Sequence, residues 1–390
     1  MFHLCPSVAK SDEEDEAESR RGFLRAAAHA PRNPTTNLTA LKMAVTLRDK
    51  PFKNIMRRQL ISLFAITVSL IANHPARAGW PARVFAPYMY IGAGDNFQLT
   101  NCDNACGLKY YTLAFIIARQ DGDGKNAIYH PEPSWDGRIP IGQDLYHDQI
   151  DAIRECGGDV IMSFGGEGGK ELANIIDGPA QLEAAYQKVI AQYKFTWLDF
   201  DIEGNNLDHG QADSERRNTV LASLQRKNPG LIISYTLPVD PNGLSEASLA
   251  LLADAVKKGV KVHSANLMVM YFGKDFTGKG KSEGQLGIDS ANTAYAQLQK
   301  IDPAIQVGLC PCLGRNGSKD EVFDLADAKT LKAFADKTPW VCSLHYWSIN
   351  DDAARPRKKR KAGASTNNVI IPAMSQPWAF ARIFQPFTAR

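Results

Sequence analysis

Three acidic residues alternate with apolar ones near the middle of the chain. The segment reads Leu198-Asp-Phe-Asp-Ile-Glu203, and alternation of this kind is typical of a β-strand, whose successive side chains point to opposite faces. Asp199, Asp201 and Glu203 would therefore share one face. Carboxylates so close together repel one another and lose solvation when buried, so the pKa of the outermost acid should rise. An acid that keeps its proton near neutral pH can protonate the leaving oxygen of a glycosidic bond.

A structural ion network is the competing interpretation of these three acids. Such a network needs cations beside the carboxylates, and no Lys or Arg is interleaved on this segment. A buried row of uncompensated negative charge is costly, and perturbed acids cluster at functional sites. The pattern therefore favours acid catalysis.

The segments around these acids predict a parallel (β/α)8 barrel, the TIM-barrel fold, as a single domain. Short, almost continuously apolar runs are typical of parallel strands. Eight of them alternate with helical patterns, beginning near Ala86, Tyr111, Asp159, Thr196, Leu231, Ala265, Gln306 and Val341. A doubly wound open sheet is the alternative, but no Gly-rich phosphate loop follows the first strand. In a barrel the functional groups collect at the carboxyl ends of the strands, which places Glu203 at the mouth.

Helical periodicity supports this alternation at four places. Apolar residues recur at helical spacing over 146–153, 182–193, 320–334 and 378–384.

Four motifs in register resemble glycoside hydrolase family 18, the chitinases and their relatives. Leu198-Asp-Phe-Asp-Ile-Glu203 is similar to that family's DxxDxDxE signature, and Ser163-Phe-Gly-Gly166 to its SxGG motif. Asn266-Leu-Met-Val-Met-Tyr-Phe-Gly273 resembles its sixth-strand segment, and Trp347 its last-strand tryptophan. The resemblance covers most of residues 83–384.

The resemblance implies a role for each matching residue. Glu203 would be the proton donor, and Asp201 would turn between Asp199 and the N-acetyl group of the sugar. The substrate's own acetamido oxygen would be the nucleophile, which gives retention through an oxazolinium ion. Trp347 would form the apolar floor under the sugar ring. No metal and no cofactor are expected.

Two departures from the family pattern are visible. Thr196 and Trp197 stand where the family often has Asp-Gly, which should tune activity rather than abolish it. Tyr271 falls where relatives commonly carry an Asp that contacts the acetamido group. A phenol can hydrogen-bond a carbonyl but supplies no charge, so we expect an altered rate or pH optimum.

The remaining candidates for substrate binding are weaker. Ser163 and Gly165 should line the site where the third strand turns, and Tyr88 ends the first strand. Met268 is a candidate contact whose alternative is barrel filling. His345 is interpreted as a satisfied interior histidine.

The first 78 residues predict a leader followed by a signal peptide. Residues 1–55 are polar and lack a sustained apolar period. A positive Met56-Arg-Arg-Gln, an apolar run from Leu60 to Ala72 and Ala76-Arg-Ala78 follow, which is the pattern of a secretory signal. The alternatives are a membrane anchor or a buried helix. We expect a disordered, mis-assigned leader at 1–55 before a true start at Met56, a signal peptide at 56–78, the barrel at 79–390, and a secreted or periplasmic protein.

The cysteines fit an exported protein. Cys102 and Cys106 flank a short polar loop and form the best disulfide pair, whereas Cys310, Cys312 and Cys342 lie in strand-like segments and could be buried thiols. No histidine pair stands at zinc-ligand spacing beside them.

These observations lead to an exported chitinase-type hydrolase that cleaves β-1,4-linked N-acetylglucosamine polymers. Two alternatives remain: an endo-β-N-acetylglucosaminidase acting on N-glycans, and a non-catalytic chitin-binding barrel. Chitin or its oligosaccharides would be the partner. A net charge of +3 over 390 residues gives no reason to expect nucleic acid, and we expect a monomer without a stable membrane span.

Overall fold

The computed structural model describes residues 79–92, 98–99, 106–122, 124–353 and 376–388. The predicted leader at 1–55, the signal peptide at 56–78 and Cys102 lie outside the described residues, so these predictions and the Cys102–Cys106 pair stay predictions. Over the described ranges, no helix combines the length and the apolar character that crossing a bilayer requires.

Parallel strands close into a barrel, which confirms the predicted fold. The strands in chain order are β1 Val84–Phe85, β2 Tyr88–Tyr90, β3 Tyr110–Asp121, β4 Ile128–Trp135, β5 Ile139–Pro140, β6 Asp159–Gly165, β7 Trp197–Asp201, β8 Ile232–Asp240, β9 Gly243–Leu244, β10 Val262–Met268, β11 Gln306–Leu309, β12 Gly314–Arg315, β13 Val322–Phe323 and β14 Val341–Leu344. The parallel path runs β14-β11-β10-β8-β7-β6-β3. Because β1 pairs with β14 and β2 pairs with β3, these two short pieces together form the first barrel strand and close the ring.

Helices alternate with the barrel strands. They are α1 His147–Glu155, α2 Pro179–Tyr193, α3 Asn205–Asp208, α4 Gln211–Lys227, α5 Glu246–Lys257, α6 Glu283–Leu298, α7 Leu325–Lys337, α8 Ile349–Asp352 and α9 Ala379–Phe384. One boundary differs from the sequence expectation. Helix α7 begins at Leu325, because Asp324 caps it by accepting the Ala326 and Asp327 amides, and Val322 belongs to the antiparallel β12–β13 pair instead.

The acidic strand alternates as predicted. Leu198, Phe200 and Ile202 are fully buried in the main core, where Phe200 stacks on Phe164 at 5.2 Å between ring centroids. Tyr186 of α2 meets the Phe200 ring edge-on at 5.4 Å. This apolar face packs against the helices, and it leaves the other face of β7 to the interior of the barrel.

An antiparallel extension projects from the third element of the sheet. The long β3 continues beyond the barrel and pairs with β4, which pairs with β5. The Tyr90 hydroxyl donates to Asp136 Oδ1 at 2.9 Å, and the Asp136 amide donates to the Phe115 carbonyl at 3.0 Å. These bonds hold the β4–β5 turn beside the carboxyl ends of the first two barrel strands.

Aromatic side chains fill the opposite end of the barrel. Trp80 packs edge-on against Trp197, with ring centroids 5.0 Å apart, and in a tilted arrangement against Tyr110 at 5.3 Å. Its indole N–H donates to Thr196 Oγ1 at 3.0 Å. Thr196 and Trp197, the two departures from the family signature, are thus part of the packing that closes this end.

Candidate active site

Asp199 lies inside the barrel at the centre of a hydroxyl cluster. Its Oδ1 accepts hydrogen bonds from Ser234 Oγ at 2.7 Å and from Thr236 Oγ1 at 3.0 Å. Its Oδ2 lies 2.9 Å from the Tyr88 hydroxyl and 2.8 Å from Ser163 Oγ, and both donate to it. Burial raises the pKa of Asp199, and these donors counteract the rise because they stabilise the anion. The cluster is built to hold a buried negative charge.

The register of the sheet explains why these hydroxyls converge. Ser163 of β6 and Ser234 of β8 stand opposite Asp199 of β7, and Thr236 stands opposite Asp201. Residues in register on neighbouring parallel strands point to the same face of the sheet, here the interior of the barrel, and the tilt of the strands also brings Thr236 within reach of Asp199. The sequence analysis did not predict Ser234 and Thr236. Their signal was available, since they are polar residues at a two-residue spacing in an otherwise apolar strand.

Asp201 lies one layer nearer the mouth, and its carboxyl is strongly perturbed. Burial raises its pKa well above the usual range, and the charges of Glu203 and Asp199 add to the effect. Its carboxyl donates to Glu203, which favours the protonated form of Asp201. Its buried Oδ1 accepts no hydrogen bond from the residues that the structure describes. The site therefore has one acceptor available for a polar group of a ligand.

Glu203 occupies the rim two residues after β7 ends at Asp201. Gly204, with φ +53°, turns the chain away at this point. Burial and, to a smaller extent, the Glu167 charge raise the pKa of Glu203, and the bond from Asp201 lowers it, which leaves the pKa at about 7. Glu203 thus keeps its proton in a large fraction of molecules at neutral pH, as an acid catalyst requires.

An aromatic floor borders these acids. The half-buried Trp347 stacks on Phe115, with ring centroids 5.6 Å apart and planes at 17°. Tyr88 and Met268 belong to the same cluster. Tyr88 is buried and its hydroxyl serves Asp199, so this predicted substrate contact acts through Asp199 in the structure. Phe115, a partner of Trp347, was missed by the sequence analysis, because nothing in an apolar strand distinguishes it.

Two glycines bring the third and fourth barrel strands close together. The Gly166 amide donates to the Asp201 carbonyl at 3.0 Å. Gly165 and Gly166 have φ values of +101° and +87°, and a Cβ at Gly166 would stand 2.6 Å from the Phe115 ring. The two glycines therefore line the site between Asp201 and the aromatic floor.

Two further candidates have distinct surroundings. Tyr271 is 37% exposed, adopts φ +52°, and has its hydroxyl 4.0 Å from Cys312 Sγ. His345 is buried, and its Nδ1 lies 2.7 Å from the Ala86 carbonyl. Since a carbonyl only accepts, Nδ1 carries the proton, and burial lowers the pKa of His345 to about 4. His345 is thus a neutral, satisfied interior histidine, as predicted.

The arrangement of the described His, Cys, Asp and Glu side chains bears on metal binding. Over the ranges that the structure describes, no group of three or more His, Cys, Asp or Glu side chains is arranged to hold a metal ion. Cys310, Cys312 and Cys342 are buried thiols. Only Cys342 lies in a strand, β14, because β11 already ends at Leu309; Cys312 forms an isolated bridge with Trp347.

Comparison with known proteins decides the family. No protein-family model matches the chain. Active domain 2 of a chitinase from Pyrococcus furiosus is 31% identical, with a TM-score of 0.65, and the match covers 80% of this chain and 97% of that one. A second structure of this domain, complexed with chito-oligosaccharides, matches with 31% identity and a TM-score of 0.63 over 79% of this chain and 95% of that one. The chain belongs to glycoside hydrolase family 18.

Two curated relatives agree with the family 18 assignment. A probable bifunctional chitinase/lysozyme from Escherichia coli strain K12 is 28% identical over 80% of this chain. Endochitinase 11 from Metarhizium anisopliae is 29% identical over 71% of it. The matched regions span 35% and 54% of the length of these two relatives. This chain, a member of glycoside hydrolase family 18, therefore corresponds to a part of each curated relative.

The family 18 signature acquires a clear geometry in this barrel. Asp199, Asp201 and Glu203 form an ascending series from a carboxyl surrounded by hydroxyl donors, through a carboxyl whose pKa is raised well above its usual range, to a rim acid. A single proton can move along such a series because each acid perturbs the next.

Proposed function

We propose that this family 18 barrel is a chitinase that hydrolyses β-1,4 bonds between N-acetylglucosamine units with retention of configuration. The observation that carries the proposal is the pair of adjacent, hydrogen-bonded acids at the mouth: the pKa of Asp201 is raised well above its usual range, and that of Glu203 lies at about 7. The oligosaccharide complex of the Pyrococcus furiosus domain supports the substrate class.

The first half of the reaction breaks the glycosidic bond. Glu203 gives its proton to the leaving oxygen, and the acetamido oxygen of the substrate attacks the anomeric carbon, so that the bond to the leaving sugar breaks and an oxazolinium ion forms. Asp201 turns from Glu203 toward Asp199, and its buried Oδ1 then accepts the acetamido N–H. This hydrogen bond directs the acetamido oxygen and stabilises the positive charge that develops on the ring.

The second half restores the enzyme. Glu203, now ionised, takes a proton from a water that attacks the anomeric carbon from the face that the leaving sugar vacated. The oxazolinium opens to the acetamide, and the product keeps its configuration because two inversions have occurred. Trp347 supports the C–H face of the ring through both steps.

Replacing Glu203 by Gln tests this function. Glu203→Gln should fold normally and lower kcat on N-acetylglucosamine oligomers by about 10²–10⁴-fold, since the general acid is lost. Glu155→Gln, at an exposed helix end, is the matched control. Mass spectrometry follows the products, and proton NMR of the first-formed anomer tests retention.

Three results would redirect the proposal. Full activity of Glu203→Gln would refute the acid assignment. Release of glycans from glycoproteins without cleavage of chitin oligomers would indicate an endo-β-N-acetylglucosaminidase. Oligosaccharide binding by the wild type without any hydrolysis would indicate a chitin-binding barrel.

We also propose that the protein is exported. The support is the sequence pattern of Met56-Arg-Arg-Gln, an apolar run from Leu60 to Ala72 and Ala76-Arg-Ala78. Expression of the full chain in a bacterial host should give a mature protein in the periplasm or medium, with an N-terminus near Gly79 by Edman sequencing. Retention of the uncleaved chain in the cytoplasm would contradict export.

A further inference from the structure

Trp197 lies directly below the buried acid. It stands two residues before Asp199 on β7, so its side chain points into the barrel on the same face. Trp197 is only 2% exposed. Its indole Nε1 donates to Ser234 Oγ at 2.9 Å, and Ser234 Oγ donates to Asp199 Oδ1 at 2.7 Å. Two consecutive hydrogen bonds therefore connect the indole to the carboxylate.

The chemistry of the indole fixes the direction of this connection. An indole N–H can only donate, whereas a serine hydroxyl has one proton and two lone pairs. Because Trp197 occupies a lone pair of Ser234, the single O–H of Ser234 is left for Asp199. Consecutive hydrogen bonds also polarise one another, so the Ser234 proton becomes a better donor.

We propose that Trp197 is a positioning residue of the active site. It holds the Ser234 hydroxyl on Asp199 and so stabilises the Asp199 anion toward which Asp201 turns during the reaction. This inference rests on the proposed function for its kinetic consequences, but its structural part stands on the hydrogen bonds alone. In this chain the uncharged indole of Trp197, at the start of β7, thus stabilises Asp199, the deepest of the three acids, through Ser234.

Trp80 provides a matched control. It belongs to the same aromatic cluster, 5.0 Å from the Trp197 ring, and also donates through its indole N–H to a hydroxyl, Thr196 Oγ1 at 3.0 Å. The structure shows no bond from Thr196 to Asp199, whose described donors are other residues. Replacing either tryptophan by Phe removes one N–H and part of one ring, but only the change at Trp197 removes support from the acid.

The first test is kinetic. Trp197→Phe should lower kcat on chitin oligosaccharides about 3–10-fold, the effect expected from one lost hydrogen bond, and should leave KM within about twofold. The acid limb of the kcat/KM profile should move to higher pH, because Asp199 becomes harder to ionise. Trp80→Phe should change neither kcat nor the pH profile. Equal kinetic effects of the two variants would overturn the proposal.

A double variant isolates the connection. Ser234→Ala removes the link between the indole and the acid, so adding Trp197→Phe to it should lower kcat no further. If the two changes multiplied, Trp197 would act by another route and the proposal would fail.

The second test needs no activity. Burial raises the pKa of Asp199, so the stability linked to this group is fully present below its unfolded pKa and is lost as pH rises through the folded value. Losing a donor to the anion raises the folded pKa further. Trp197→Phe should therefore lower the free energy of unfolding more at about pH 7.5 than at about pH 4, whereas the Trp80→Phe penalty should be the same at both.

This stability comparison separates the two proposals. An inactive wild type with a pH-dependent Trp197→Phe penalty would sink the proposed function and keep the positioning role. An active wild type in which the Trp197→Phe penalty did not depend on pH would keep the proposed function and refute the positioning role.

Discussion

Gly165 approaches Asp201 so closely that a side chain could not fit between them. A Cβ on Gly165 would stand 2.1 Å from the Asp201 carbonyl oxygen, and the backbone has φ +101°. The two residues are also partners in register on neighbouring parallel strands. Glycine is therefore required here both for its backbone conformation and for its missing side chain.

We predict that Gly165→Ala disables the site. The new methyl group must displace the Asp201 backbone, which aims the second acid at the substrate. We expect a loss of about 2–4 kcal/mol in the free energy of unfolding and at least tenfold lower kcat in the protein that still folds, since small misplacements of catalytic groups are costly. Urea unfolding and oligosaccharide hydrolysis measure the two effects.

Gly168 supplies the control for this substitution. It lies three residues further along, is exposed, and would meet no heavy atom within 4 Å of an added Cβ. Gly168→Ala should change stability by less than about 0.5 kcal/mol, as is usual for surface changes. If Gly165→Ala changed stability and kcat as little as Gly168→Ala, the close approach of Gly165 to Asp201 would not matter for the site.

Glu167 should set the alkaline limit of activity. Gly165 and Asp201 are register partners on neighbouring strands. Glu167 stands two residues after Gly165, and Glu203 stands two residues after Asp201. The Glu167 charge raises the pKa of Glu203. Glu167→Gln removes this charge, so the pKa of Glu203 falls and the acid loses its proton at lower pH. The alkaline limb of kcat/KM should then move to lower pH, with an unchanged rate on the acid plateau.

A control variant that neutralises a distant glutamate shows whether the change in net charge alone moves the pH profile. Glu155→Gln also removes one exposed negative charge, but at the end of α1, and should leave the profile in place. A Glu167→Gln profile that coincided with the wild type, or moved to higher pH, would contradict the electrostatic coupling of the two rim acids.

The fold and the three acids could be predicted from sequence because both depend on local pattern. Alternation along Leu198–Glu203 already separates the core face from the barrel face, and the structure has Leu198, Phe200 and Ile202 in the core. Apolar runs marked the barrel strands for a similar reason, since a strand covered by helices must be apolar.

The hydroxyl cluster around Asp199 depends on long-range geometry instead. Tyr88 is 111 positions away from Asp199, and Ser234 is 35 positions away. Only the register of neighbouring strands shows that they meet. The departure at Trp197 is comparable: the sequence shows that an expected glycine is replaced, whereas its bond to Ser234 requires coordinates.

Trp347 should matter for binding more than for folding. Its ring is half-buried beside the acids and stacks on Phe115. Trp347→Ala should lower kcat/KM by about tenfold or more, since about 1.4 kcal/mol of lost aromatic contact corresponds to that factor. Trp340 is a second stacked tryptophan, with its centroid 4.2 Å from that of Tyr295. Trp340→Ala should reduce stability while leaving KM unchanged, and a reversed pattern would rule out the platform.

Glu283 should make the protein less stable as pH rises. It begins α6 but is only 5% exposed, and its Oε2 has no hydrogen-bond partner among the described residues. Burial, together with the charges of Glu321 and Asp327, raises its pKa to about 8. The folded protein therefore holds a proton that the unfolded chain releases at its lower, ordinary pKa.

The direction of the effect follows from this proton. The stability contributed by protonated Glu283 is complete below the unfolded pKa of about 4.3 and is lost as pH rises through the folded value of about 8. Glu283→Gln keeps the shape and cannot ionise, so its free energy of unfolding should exceed that of the wild type above pH 8 and approach it near pH 4. Glu246→Gln, at the exposed start of α5, should show no such pH-dependent gain in urea unfolding. A gain at Glu283 that was equal at all pH values would mean that packing, rather than the buried proton, sets the stability of this helix end.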